Sequence, residues 1–441
     1  MANLASGAAG AVLAVVLPPF LLRSLDRDSF SVWSLLLQVG GYVGLLNFGL
    51  QTAIGRFVAH AEAAKDPGMR DRIVSTAMAI LAWSALLGSI TMGGMSILLP
   101  KLFPEIPVLL QAQAQNALLL VGGSLALGLP FMALNGVFVG LQRNEIPALL
   151  TIGSRVATGL ALIIAARTGQ GIVALALVFA AVNFMTYVIQ SVLFRRFAPM
   201  LKLSFKLVSR ESIRELVSYC TSLTVWNFAM LLVSGLDLIL VARFEFSSVG
   251  AFSIATSFLG LLVGSQTAIF NVFLPAGAAL HAQGEQGRLR VLLLDTTRWN
   301  FLFLGLIIIT YCFLGDGLLF IYAGANYVNP ISIFLGILLA ATVRLSMLPY
   351  NILAIGAGDH RQIILGPLAE GLSNLLASIA FGFRFGAIGV AFGTIIGGVV
   401  GVAFHLWLNL PRSLHLGIRL ETFLPAAFLP GTCCYFLYCL H

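Results

Sequence analysis

The chain has 441 residues, of which 59% are hydrophobic and 10% charged, with a formal net charge of +8. Soluble domains carry roughly 25% charged residues, so this composition excludes a water-soluble globular enzyme. The apolar residues come in uninterrupted runs of about 20, enough for a helix to cross a hydrocarbon core, and leave no room for a soluble catalytic domain.

In chain order these runs predict twelve transmembrane helices, at 3–22, 30–55, 74–99, 112–141, 147–166, 171–194, 215–242, 249–276, 299–322, 328–355, 361–383 and 387–410. A thirteenth candidate covers 422–440, where Pro425 and Pro430 interrupt the pattern. The first run starts almost at Met1 with no basic residue ahead of it, which reads as an uncleaved span rather than a secretory signal. The 45 glycines fit helices packed closely in a membrane. Prolines inside spans (Pro18, Pro19, Pro130, Pro275 and Pro349) mark expected bends, whose freed carbonyls can line a cavity.

The expected fold is an all-α polytopic membrane protein with two six-helix lobes related by a pseudo-two-fold axis along the membrane normal. The N-terminal lobe covers 1–197, a cytoplasmic amphipathic linker 198–214, the C-terminal lobe 215–410 and a tail 411–441. In the linker Leu203, Phe205, Leu207, Val208, Ile213 and Leu216 interleave with Lys206, Arg210 and Arg214. This pattern reads as a segment lying at the lipid headgroups, or as a solvated linker with a basic face. A loose internal repeat supports two halves. Gly44-Leu45-Leu46 and Gln51-Thr52-Ala53-Ile54 of the second span return as Gly260-Leu261-Leu262 and Gln266-Thr267-Ala268-Ile269 of the eighth.

Alternate connections carry 17 and 6 Lys and Arg residues, an imbalance that places the amino terminus in the cytoplasm. Most of the positive charge is therefore topogenic and implies no nucleic-acid partner. Cys220, Cys312, Cys433, Cys434 and Cys439 lack metal-ligand spacing and read as small buried hydrophobes.

Four ionisable residues fall well inside spans: Arg155, Asp237, Arg344 and Glu370. Each costs about 2.5 to 3.5 kcal/mol at the bilayer centre, so each is expected to face the protein interior. The first six spans hold Arg155 and no carboxylate. An unpaired guanidinium lining a cavity suits an anionic substrate, a diphosphate above all; the alternative is that Arg155 bonds helix-end carbonyls or snorkels. Arg23 and Arg56 lie near span ends, where snorkelling competes with function. In the second lobe Glu370, Asn374 and Ser378 share one helix face at i, i+4 and i+8. Joined by Asp237 and Thr394, they can hold a small hard cation or shuttle a proton. A structural ion pair of Arg344 with Asp237 or Glu370 is the competing explanation.

Three stretches carry a family resemblance. They are Pro18 to Leu25 followed by Gly41 to Ala59, with Asn47-Phe48-Gly49-Leu50; then Leu236 to Leu240 with Val249 to Ala255; and Phe385 to Thr394. Together they resemble the polysaccharide flippases of the multidrug/oligosaccharidyl-lipid/polysaccharide exporter superfamily, over residues 1 to about 410. The resemblance implies alternating access that moves an undecaprenyl-diphosphate-linked oligosaccharide from the inner to the outer leaflet of a bacterial cytoplasmic membrane, for O-antigen, capsule or exopolysaccharide synthesis. It implies membrane lipids, a polysaccharide polymerase and a chain-length regulator as partners. It also implies a cationic cavity, to which Arg23 and Arg56 match while span eight offers only Gln266 and Asn271; Arg155 and Arg344 complete the expected substrate-binding set. A sodium site of the family matches Asp237, Asn374 and Thr394, with Ser378 where an acidic residue can occur and Glu370 one turn away. No cofactor is expected beyond a coupling Na+ or H+.

A cation-coupled multidrug antiporter of the same superfamily is the alternative, although the first lobe lacks the buried carboxylates that organic cations call for. A membrane-embedded polymerase or ligase would need reactive groups on external loops. These are short here, and the histidines fall mostly near cytoplasmic connections, so an enzyme is not expected.

Overall fold

The computed structural model of the protein describes residues 16–324, 331–357, 365–412 and 423. The start of the first expected span, Arg361 and, apart from Phe423, the thirteenth candidate lie outside the described residues. Among the described residues every regular element is helical, and ten segments are long and apolar enough to cross a membrane. The protein is a multi-pass membrane protein. It divides into two compact units, 1–228 and 229–441.

In the first unit, α1 is described over 16–24. Asp26 then caps α2 (Arg27–Gly41), its carboxylate accepting the Ser29 amide at 3.0 Å. The expected span 30–55 is not one helix. A 3-10 turn, Tyr42–Asn47, follows α2, and α3 (Leu50–Ala63) starts only after two left-handed residues, Phe48 (φ 51°) and Gly49 (φ 77°). Glycine suits this point twice, because it adopts positive φ without strain and because a Cβ there would lie 2.8 Å from Leu223 Cβ. The Asn47-Phe48-Gly49-Leu50 motif is thus a turn inside the membrane segment. Thr224 Oγ1 donates to the Phe48 carbonyl at 3.3 Å.

Asp66 caps α4 (Pro67–Leu102), accepting the Met69 amide at 2.8 Å, with proline at the first helical position. Then come α5 (Val108–Leu127), α6 (Leu129–Gly140), α7 (Glu145–Arg167) and α8 (Ile172–Phe197). The stretch after α8 is strapped to the start of α4. Asp71 accepts the Lys202 amide at 3.2 Å, Ser75 Oγ accepts Ser204 N at 3.2 Å, and Thr76 Oγ1 accepts Ser209 N at 3.4 Å. Arg70 completes the strap by donating to the Met200 carbonyl while pairing with Glu62 and Asp71 at 2.7 and 3.0 Å. The chain then enters α9 (Arg210–Met230).

The second unit contains α10 (Asp237–Phe244), α11 (Val249–Phe270), α12 (Phe273–Ala282), α13 (Gln286–Ala323), α14 (Ile331–Leu345), α15 (Leu348–Gly356) and α16 (Leu365–Phe404). The expected continuous spans are interrupted here too. A π-turn at Leu231–Gly235 precedes α10, α11 stops before Pro275, and α14 stops before Pro349. In the first unit α5 likewise ends at Gly128, two residues ahead of Pro130. Proline lacks an amide and its ring crowds the carbonyl four residues back, so each break falls on the N-terminal side of the ring. The ninth span starts earlier than expected. Arg288, Arg290 and Arg298 lie on α13 itself, where Arg288 pairs with Glu285 at 2.8 Å and Arg298 with Asp295 at 3.1 Å. The two stretches of the sequence repeat differ locally, since 44–54 crosses the turn at Gly49 whereas 260–269 lies within the uninterrupted α11.

Candidate functional site

The site in the second unit is built by a helical hairpin. Gly386, at φ 59° and ψ −137°, turns α16 into two limbs. The second limb carries Gly389, Gly393, Gly397 and Gly401, one every fourth residue and therefore on one stripe. A Cβ on Gly393 would fall on Ser378 Oγ, one on Gly397 would meet Asn374 Cβ at 2.6 Å, and one on Gly401 would meet Glu370 Cβ at 3.0 Å. The glycine stripe thus seats the Glu370, Asn374 and Ser378 face of the first limb, and the close approach buries all three. Glu245, between α10 and α11, fastens the turn by accepting the Ala387 amide at 2.8 Å with one carboxylate oxygen and the Ser248 hydroxyl with the other. The sequence reading missed Glu245, whose partner lies 142 positions away.

Asp237 opens α10 immediately after the π-turn and is 6% exposed. Asn374 Nδ2 donates to Asp237 Oδ1 at 3.1 Å, to Val233 O at 2.8 Å and to Leu232 O at 3.4 Å. Three acceptors around one nitrogen fix the amide orientation, so the Asn374 carbonyl faces away and takes the Ser378 hydroxyl at 2.9 Å. Thr394 Oγ1 reaches the second Asp237 oxygen at 3.3 Å. The structure therefore brings Asp237, Asn374, Ser378 and Thr394 into one hydrogen-bonded cluster. Glu370 stands one turn away, and Arg344 Nε lies 3.5 Å from its carboxylate. Arg344 Nη2 donates to Met230 Sδ at 3.7 Å. Two carboxylates and one guanidinium leave this region one negative charge when all are ionised. No group of three or more His, Cys, Asp or Glu suited to a bound metal occurs among the described residues.

In the first unit Arg23, Arg56 and Arg155 are exposed on three different elements, α1, α3 and α7. The Arg56 guanidinium lies over the Tyr219 ring at 4.9 Å, a partner invisible in the sequence. Arg155 has an interaction partner of its own, so the expectation of an unpaired cation does not hold. Gln266, at the position expected to replace a cavity arginine, is buried and committed elsewhere. Its Nε2 donates to Asn300 Oδ1 at 2.8 Å, and Asn300 in turn donates to the Leu345 carbonyl at 2.8 Å. Asn271 is exposed at the end of α11.

The fold is shared with solved membrane transporters. An inward-facing multidrug resistance MATE family transporter of the MOP superfamily matches with a TM-score of 0.66 at 15% identity, over 91% of this chain and 98% of that one. The lipid II flippase MurJ matches with a TM-score of 0.66 at 14% identity, over 98% and 92%. A MOP superfamily transporter from Pyrococcus furiosus gives 0.53 at 14% identity, over 93% and 97%. No curated protein matches by sequence. The family described as "Polysaccharide biosynthesis protein" matches residues 69–331, more than half of the chain. By that match the protein, a two-lobed helical membrane protein with the MOP-superfamily fold, belongs to the polysaccharide biosynthesis protein family.

Proposed function

We propose that the protein is a flippase that carries a lipid-diphosphate-linked oligosaccharide, of the undecaprenyl type, across a bacterial cytoplasmic membrane with its amino terminus inside. The observation that carries this reading is the unequal disposition of charge. In the second unit Arg344 is answered by Glu370, and Asp237 is held by amide and hydroxyl donors. In the first unit Arg23, Arg56 and Arg155 are exposed, and no Asp or Glu interrupts the apolar middle of its spans. Exposed guanidinium groups suit the two phosphates of such a headgroup. Membership of a polysaccharide biosynthesis family supports an oligosaccharide cargo.

Asp237 is the proposed coupling group. Each of its oxygens accepts one hydrogen bond and keeps a lone pair for a proton or cation. A proton requires nothing more. A sodium ion would draw on the Asp237 oxygens and Thr394 Oγ1, because Asn374 presents its amide nitrogen, not its oxygen, to the carboxylate.

The test is reconstitution into liposomes with a fluorescent lipid-diphosphate oligosaccharide under imposed proton, sodium or voltage gradients. Accelerated leaflet exchange, lost in Arg155→Ala protein that remains folded, is expected. Export of an organic cation such as ethidium, with no acceleration of lipid exchange, would instead assign the protein to cation-coupled multidrug antiport.

A further inference from the structure

A groove on the first unit is lined by none of the candidate site residues. One face of α8, running from Phe184 through Val188 and Ser191 to Arg195, forms a hollow of about 500 Å³ with Leu127 and Phe131 at the α5–α6 break. A second hollow of about 370 Å³ shares Phe131, Ser191 and Arg195 and continues to Leu201 and Leu203 in the strap. The two form one channel with apolar walls, whose floor is stiffened by Phe131 stacked on Tyr187 at 4.8 Å between ring centroids. Gly128 permits that floor, since a Cβ there would collide with the Tyr187 ring.

Charge is confined to one end. Arg195 is exposed and, among the described residues, makes no ion pair, hydrogen bond or ring contact, whereas its neighbour Arg196 lies against Phe197 at 5.9 Å. Ser191, which lines both hollows, donates its hydroxyl to the Tyr187 carbonyl at 2.8 Å. From Phe184 to Arg195 a helix rises about 16 Å, close to half of a roughly 30 Å hydrocarbon core. The apolar part therefore matches one leaflet's acyl chains, and the guanidinium sits where a headgroup phosphate begins.

We propose that this groove is a binding site for an anionic glycerophospholipid, with one acyl chain along Phe184 and Val188 and the phosphodiester at Arg195. A single guanidinium matches one phosphodiester charge, and a diphosphate would ask for more cations than the groove supplies. A lipid seated there would wedge the α5–α6 break where Pro130 removes a backbone hydrogen bond.

Native mass spectrometry of the full chain, purified in a mild non-ionic detergent and titrated with dioleoyl phosphatidylglycerol or dioleoyl phosphatidylcholine, tests this site. The wild type should retain phosphatidylglycerol in preference. Arg195→Gln should lower that retention about tenfold relative to phosphatidylcholine, as expected for one charge-assisted contact, while Arg195→Lys keeps most of it. Val188→Trp, which fills the groove, should reduce retention of both lipids, and Arg196→Gln should change neither. Circular dichroism and thermal midpoints establish that each variant is folded. Equal losses in Arg195→Gln and Arg196→Gln would mean a diffuse basic surface and overturn the site. Displacement of phosphatidylglycerol by inorganic phosphate alone, or a dimer that Val188→Trp dissolves, would reassign the groove to a free anion or to a second copy of the chain.

Discussion

Asn374 and Asp237 are joined across 137 residues of sequence by one hydrogen bond of 3.1 Å, and the same amide nitrogen also holds the Val233 carbonyl of the π-turn that precedes Asp237. The asparagine thus positions both the carboxylate and the backbone that presents it. A π-turn leaves carbonyls out of the regular helical ladder, and Asn374 occupies one of them.

This arrangement separates two substitutions. Asp237→Asn keeps the shape and should leave the thermal midpoint little changed while abolishing gradient dependence in the liposome assay. Asn374→Ala should instead destabilise the fold by about 1 to 3 kcal/mol, because it strands buried polar groups. A thermal midpoint in detergent, measured beside gradient-driven exchange, checks both. Gradient dependence retained in Asp237→Asn would remove Asp237 from coupling.

The glycine stripe makes a steric prediction. Gly393→Ala should cost about 1 to 3 kcal/mol through overpacking, because its Cβ would displace Ser378 and break the Ser378–Asn374 bond. Gly94→Ala is the control: nothing lies within 4 Å of a Cβ there, and alanine in an exposed helix position should be neutral or stabilise by about 0.5 to 1 kcal/mol. Differential scanning fluorimetry of the two proteins compares them directly, and equal midpoints would refute close seating of the limbs.

The two limbs and their polar face show how much was legible in the chain. Glu370, Asn374 and Ser378 share a helix face by spacing alone, and Asp237 stands out because a carboxylate inside an apolar run is costly. The apolar runs located the membrane segments for the same reason. Their interruptions were less legible, because each depends on local backbone chemistry, as at Phe48–Gly49, where only the observed left-handed pair reveals the turn. Glu245, Tyr219 and Asn300 were missed because each acts on a group far away in sequence, and nothing in its neighbours announces that contact. The strap over 200–209 was visible as an amphipathic pattern. Its fastening to Asp71, Ser75 and Thr76 was not, because backbone amides carry no sequence signal.

Arg344 and Glu370 predict a strongly asymmetric cycle. Arg344→Met leaves a buried carboxylate without its partner and should cost about 3 to 5 kcal/mol, whereas replacing both residues by methionine should be nearly neutral for stability. Thermal midpoints of the two single variants and the double variant read the coupling. If the loss in the double variant equals the sum of the losses in the two single variants, Arg344 and Glu370 are not coupled and the ion pair contributes nothing to the fold.

The last prediction concerns the break ahead of Pro349. In a continuous helix the amide of residue 349 would donate to the carbonyl of Leu345, and proline cannot. Asn300 Nδ2 takes that carbonyl at 2.8 Å and also reaches Ser346 O at 3.4 Å, while Gln266 Nε2 holds the Asn300 oxygen. Asn300, Gln266, Leu345 and Ser346 are all buried, so Asn300→Ala should cost about 1 to 3 kcal/mol by leaving buried polar groups unmatched. In a Pro349→Ala background the new backbone amide can serve Leu345 in place of the asparagine. Asn300→Ala should then cost measurably less, giving a coupling energy of about 0.5 to 3 kcal/mol in a double-mutant cycle. Additive losses in thermal unfolding would show that Asn300 does not compensate for the proline.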